Sequence, residues 1–87
     1  MIEREVIVGH RLGIHARAAA RVVQLSSQYQ SSISLFRDDR GNRLEADARS
    51  ILSILLLAAA HGSPLVVRAD GTDEGEAVEC ICEYLKG

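Results

Sequence analysis

The sequence predicts an α+β fold, an open-faced sandwich in which a four-stranded antiparallel sheet carries three helices on one face. Three observations predict it. Apolar spacing switches between a two-residue and a 3.6-residue period in the order β-α-β-β-α-β-α. Two of the strand segments are separated only by a polar, Gly-containing turn segment, which makes that pair an antiparallel hairpin. A chain of 87 residues that is 47% hydrophobic suits one domain spanning residues 1–87. With two Tyr, one Phe and no Trp, its core must be aliphatic.

The elements follow in order. Residues 2–8, IEREVIV, are rich in β-branched side chains and place Val6 and Val8 on one face, as a first strand does. Gly9 to Gly13 is a polar loop bounded by glycine. From Ala16 to Gln28 the pattern is helical: Ala16, Ala19, Ala20 and Val23 form one apolar stripe, and Arg17, Arg21, Gln24 and Gln28 a polar one. Ala18, Val22 and Leu25 add a further apolar row, more than a single core-facing side requires, and the excess reads as partner surface. Ile33 to Arg37 and Arg43 to Ala46 are short strands, with residues 38–42 as the hairpin loop. Ser50 precedes ILSILLLAAA, a helix expected to run to His61-Gly62, with Gly62 as its stop and Pro64 preventing continuation. Leu65 to Ala69 is the last strand, and Asp70-Gly71 a turn. Thr72 or Asp73 can cap a final helix with Val78, Ile81, Cys82 and Leu85 as its apolar stripe.

Charge and cysteine usage exclude several classes of function. The net charge of −2 argues against nucleic acid as a partner. Its distribution is uneven: His10 to Arg21 holds Arg11, Arg17 and Arg21 and no acid, whereas the stretch from Asp70 onward holds six acids and one lysine. A local basic patch suits a small anion or an acidic protein surface. Cys80 and Cys82 lie about 200° apart on a helix, too divergent to pair with one another, and are read as a surface-proximal and a core residue. The longest apolar run, Ile54 to Ala60, is too short to span a bilayer, and Glu3, Arg4 and Glu5 interrupt any leader-like run. A reduced, cytoplasmic chain without membrane insertion is expected.

The chemistry concentrates in Leu12-Gly13-Ile14-His15-Ala16-Arg17. His15 stands where a Gly-containing loop enters a helix, and a helix start offers unpaired N–H groups and partial positive charge to an anion. A neutral imidazole is a usable nucleophile near pH 7. Once phosphorylated, it would be stabilised by the helix start and by Arg17, while Gly13 lets the backbone bend and approach closely. Spacing alone leaves His15 open as phosphoryl acceptor, as a plain loop residue near a helix cap, or as a metal ligand with His10 and His61. With no Cys or carboxylate nearby, the metal reading is disfavoured and no metal or other cofactor is expected.

The run LGIHARAAA resembles the active-centre motif of the HPr family, the phosphocarriers of the bacterial phosphotransferase system, which reads G-[LIM]-H-A-R-P-A. Gly13, Ile14, His15, Ala16, Arg17 and Ala19 fit it. Ser50-Ile51-Leu52 with the apolar helix that follows resembles the family's regulatory-serine segment, and the element order matches along the chain. The hairpin and EADARSILSILLLAAAHG are most similar to the nitrogen-related branch, called NPr, which shares a longer loop. The resemblance implies that His15 takes a phosphoryl group on Nδ1 from a phosphorylated Enzyme I-type protein, charged by phosphoenolpyruvate, and passes it to a histidine of an EIIA-type protein. It implies Arg17 as the phosphate-stabilising side chain, the amides of Ala16 and Arg17 as donors, and Ala20, Ile51, Leu52 and Leu55 as partner surface. Simple core packing is the competing reading for these apolar residues.

The family has Pro where this chain has Ala18. Pro suits a first helical turn, so Ala is expected to leave transfer intact with a slightly looser helix start. Ser50 is a good N-cap and, in some relatives, the target of an HPr kinase/phosphorylase. The chain is read as a monomeric carrier and not an enzyme, because it shows no nucleotide loop and no acid/base pair. The alternatives are a regulator whose partner choice follows phosphorylation of Ser50 or His15, and a plain structural module.

Overall fold

A computed structural model describes all 87 residues. The elements are β1 (Ile2–Ile7), α1 (Ala16–Ser26), β2 (Ser32–Asp39), β3 (Asn42–Asp47), α2 (Ile51–Leu56), β4 (Pro64–Asp70) and α3 (Glu74–Leu85). The four strands form one sheet in the order β1-β4-β2-β3, and every neighbouring pair is antiparallel. Alternation along each strand decides which side the helices cover. Val6, Val8, Ile33, Leu35, Ala46, Leu65, Val67 and Ala69 are buried together with residues of all three helices. The other face is open and mostly polar. Phe36 is buried there because the guanidinium groups of Arg43 and Arg68 lie over its ring, 4.1 and 4.5 Å from the centroid.

The predicted class and element order hold, and several local expectations are corrected. The hairpin loop is not five residues long. Asp39 pairs with Asn42, leaving Arg40 and Gly41 (φ 52° and 86°) as a two-residue turn that follows the strand twist. The polar residues 38, 39 and 42 looked like loop only because one or both sides of the strand end face water.

The core face of α1 is also different. Ala18, Ala19, Val22, Leu25 and Ser26 are buried, whereas Ala16 is exposed and Ala20 and Val23 are half-buried. The row read as surplus is therefore the core row. Alanine on every side of the helix hid the difference, and the larger Val22 and Leu25 decide it, because packing rewards buried volume. The helix ends at Ser26 rather than Gln28.

The second helix stops early. It covers only Ile51–Leu56, with Leu57 as C-cap, and Ala58 follows at φ 51°. Gly62, expected as the helix stop, instead lies in the turn before β4, where its N–H donates to Val8 C=O at 2.8 Å. Past the helix, Leu57 and Ala59 are buried and Ala58 and Ala60 exposed, an alternation no helix produces. A left-handed alanine costs about 1–2 kcal/mol, and glycine gives back about half of that through its looser unfolded chain. Ala58→Gly is thus expected to stabilise the fold by about 0.5–1 kcal/mol, read as a higher urea midpoint at unchanged slope.

Asp73 is the N-cap residue of α3, but its carboxylate does not cap that helix. It accepts from the Ser31 hydroxyl (2.6 Å), the Gln30 N–H (2.8 Å) and the Ser31 N–H (3.0 Å), tying α3 to the start of β2. The Ser31 hydroxyl and then the Gln30 amide hold its pKa below the ordinary 3.8. A carboxyl depressed in the folded state contributes stability above its unfolded pKa and loses it as pH falls through the folded value. The Tm should therefore drop as pH is lowered below about 4, and the drop should be shallower in Asp73→Ala across a pH series of melts.

Both cysteines are free. Cys82 is buried, which pushes its thiol pKa up. Cys80 is half-buried near Tyr29, whose hydroxyl the neighbouring thiol pushes up to about 12. No helix is long and apolar enough to cross a membrane.

Candidate functional site

His15 is the N-cap of α1, in extended backbone conformation (φ −83°, ψ −178°). Its carbonyl accepts the first helical bond, from Ala19 N–H at 2.9 Å. The amides of Ala16, Arg17 and Ala18 precede that bond and have no acceptor within the protein. The imidazole is half-buried and makes no capping hydrogen bond. Because α1 runs for 11 residues and carries no acid in its first turn, the positive end of its dipole stands uncompensated at His15. Arg17 is exposed and enters none of the ion pairs of the fold.

The loop before His15 is held from two sides. Gly13 N–H donates to His10 C=O (2.9 Å), His15 N–H to Gly13 C=O (3.1 Å), and Ile14 N–H to Ala59 C=O (3.0 Å) beyond α2. Gly13 has φ +71°, and a Cβ there would stand 2.6 Å from the Ala59 carbonyl oxygen and 3.1 Å from Ala60 Cα. The close approach expected of Gly13 is thus an approach to backbone. On the other side, His10 Nε2 lies 2.6 Å from Tyr84 C=O, and the two rings meet at a 49° tilt with centroids 4.7 Å apart. His10 is therefore committed to the C-terminal end of α3, and His61 is exposed in the turn before β4. Nowhere do three His, Cys, Asp or Glu side chains gather as a metal site would require.

Ala18 is fully buried, and α1 starts at Ala16 without the help of a proline. Ser50 caps α2: its hydroxyl accepts from Ser53 N–H at 3.2 Å. Of the expected partner surface, Leu52 is 67% and Ile51 43% exposed, whereas Leu55 and Ala20 are only half-buried, with Leu55 packed against the core. Sequence reasoning missed Leu56 and Leu12, 71% and 80% exposed. Both carried a signal, since Leu56 stands one turn after Leu52 and Leu12 is the lone large apolar residue of a polar loop. The Ile14–Ala59 bond joins the Leu12 loop to the segment that follows α2.

Concavity lies elsewhere. A 160 Å³ cleft on the open sheet face is lined by Glu5, Phe36, Asp38, Arg43, Pro64, Leu65 and Val66, and a second, of 230 Å³, by residues of β2 and β3 with Arg49. His15 lines neither. An imidazole outside both clefts, at a helix start with three free amides, suits a group exchanged between protein surfaces better than a small substrate enclosed in a pocket.

Comparison with known proteins shows which sequences and folds this chain resembles. The family model for the phosphotransferase-system HPr component phosphorylation site matches residues 2–87. A phosphocarrier protein HPr of Xylella fastidiosa is 43% identical over 86 residues, covering 99% of this chain and 92% of that protein. A phosphocarrier protein NPr of Proteus mirabilis is 38% identical over 78 residues, covering 90% and 83%. The crystal structure of an HPr from Bacillus anthracis superposes with a TM-score of 0.87 at 31% identity, covering 97% of this chain and 95% of that one.

Proposed function

This chain belongs to the HPr family of phosphocarriers of the phosphotransferase system, and from that membership we propose that His15 is its phosphoryl relay point. The Nδ1 lone pair attacks the phosphorus carried by a phosphorylated Enzyme I-type protein, itself charged by phosphoenolpyruvate. An N–P bond forms as the donor's bond to phosphorus breaks. An imidazole of an EIIA-type partner then attacks the same phosphorus and returns His15 to its free form. Such transfer needs positioning and charge stabilisation rather than a general base. The amides of Ala16 and Arg17 and the Arg17 guanidinium receive the phosphoryl oxygens on this side, and the partner supplies the remaining charge. The chain in this reading is a cytoplasmic monomer that carries a group and catalyses nothing by itself. Ser50 enters it as a structural cap.

The observation that carries the reading is His15 at the start of an 11-residue helix whose first three amides are unpaired. The test is incubation with Enzyme I and labelled phosphoenolpyruvate. Label that is lost in acid and kept in alkali supports a phosphohistidine; no label with cognate Enzyme I sinks it.

The exposed leucines supply the docking surface in the same reading. Leu52→Asp removes apolar contact and adds a charge that would be buried in the encounter. It should raise the KM for Enzyme I about tenfold with kcat little changed, and the melting temperature should stay near wild type because the side chain is already in solvent.

A further inference from the structure

Arg37 sits on β2 at the position following buried Leu35 on the helix-covered side of the sheet, and it is only half-buried itself. A guanidinium there is costly unless it finds partners. Its Nε donates to the carbonyl of Leu57 at 2.5 Å, across 20 residues of sequence. Leu57 is the C-cap of α2, and a helix end leaves carbonyls unpaired and partly negative, so an arginine is a fitting partner. Nη1 also lies 4.0 Å from Asp39 Oδ1, which restrains the head group.

Beyond Leu57 the chain turns through Ala58 at φ 51°, and the next carbonyl, that of Ala59, accepts Ile14 N–H. A left-handed alanine persists only where its surroundings over-determine it. The fixed Leu57 carbonyl on one side and the Ile14–Ala59 bond on the other do so here.

We propose that Arg37 is a positioning residue for His15, acting from β2 through the Leu57 carbonyl and the Ala58 turn onto the Ala59 carbonyl that holds Ile14. The inference rests on the carrier reading for its kinetic consequence, but its structural link can be measured without any partner.

Two measurements test it, on wild type, Arg37→Met and Arg37→Lys, with Arg43→Met on the open face as a matched loss of a sheet arginine. Amide hydrogen exchange should quicken at Ile14 in Arg37→Met well beyond the change at Leu35 and Val22, and the lysine, which can still donate to the carbonyl, should restore most of the protection. Phosphoryl acceptance from Enzyme I should fall about tenfold in kcat in Arg37→Met, because a small displacement of a reacting group is costly. It should recover in Arg37→Lys and be unaffected in Arg43→Met. Unchanged exchange at Ile14, equal quickening at all three amides, or an unchanged kcat would overturn the proposal. If wild type itself takes no label, the carrier reading fails, while the exchange measurement still decides whether Arg37 holds the loop.

Discussion

His15→Ala should lose phosphoryl acceptance completely while melting at nearly the wild-type temperature. The two halves of that result have separate causes. Stability is spared because the imidazole makes no capping bond and the carbonyl that receives Ala19 N–H belongs to the backbone. Substitution at such a site changes stability by about 0.5 kcal/mol or less. Transfer is lost because no other nucleophile stands at the helix start. His10 is tied through Nε2 to Tyr84, His61 lies in the turn before β4, and Cys82 is buried with its thiol pKa raised. Retained acid-labile label in His15→Ala would move the relay point to another histidine. A lowered melting temperature would mean that the imidazole has a structural partner after all. Label transfer and thermal unfolding on the same preparation decide both.

The residues of the candidate site could be read from the sequence alone, and what could not be read has two causes. His15, Arg17 and Gly13 were visible because each does something few other residue types do: attack, carry a fixed charge, or take a left-handed backbone. The strands and α3 were visible because alternation and a stripe of large apolar residues leave little choice of face. The errors over which face and which end of the first two helices fall where the residue is alanine. Alanine packs almost anywhere and fits a helix best of all, so Ala16, Ala18 and Ala20 did not reveal which side of α1 is buried. Likewise Ala58 gave no sign of ending α2, a place where glycine would have announced the turn. The support for the loop before His15 was hidden for a different reason. It runs through main-chain carbonyls of Leu57, Ala59 and Tyr84, and a carbonyl has no side-chain identity for a sequence to display. Arg37 and His10 reach two of those carbonyls, yet Arg37 reads as the end of a strand and His10 as a disfavoured metal ligand until the fold brings the segments together.

Glycines in the loops around the site give the sharpest test of that support, because two of them share a backbone conformation and differ in what surrounds them. Gly13 (φ +71°) and Gly62 (φ +86°) both occupy the left-handed region. A Cβ at Gly62 meets nothing within 4 Å, whereas one at Gly13 meets the Ala59 carbonyl at 2.6 Å. Gly62→Ala should therefore cost only the conformational term, about 1 kcal/mol, and leave transfer unchanged. Gly13→Ala bears the same term and must also push Ala59 away, which breaks the bond to Ile14 and strands an amide and a carbonyl. The expected total is about 3 kcal/mol, or a melting temperature lower by about 10–20 °C for a domain of this size. The kinetic effect should be larger still. Moving Gly13 moves the backbone two residues before His15, so in the carrier reading the imidazole shifts relative to the free amides of α1, and acceptance from Enzyme I should fall about a hundredfold at a temperature where the variant is fully folded. Equal losses of stability and equal retention of transfer in the two variants would show that the contact with Ala59 does not matter, and that the loop needs glycine for its backbone conformation only.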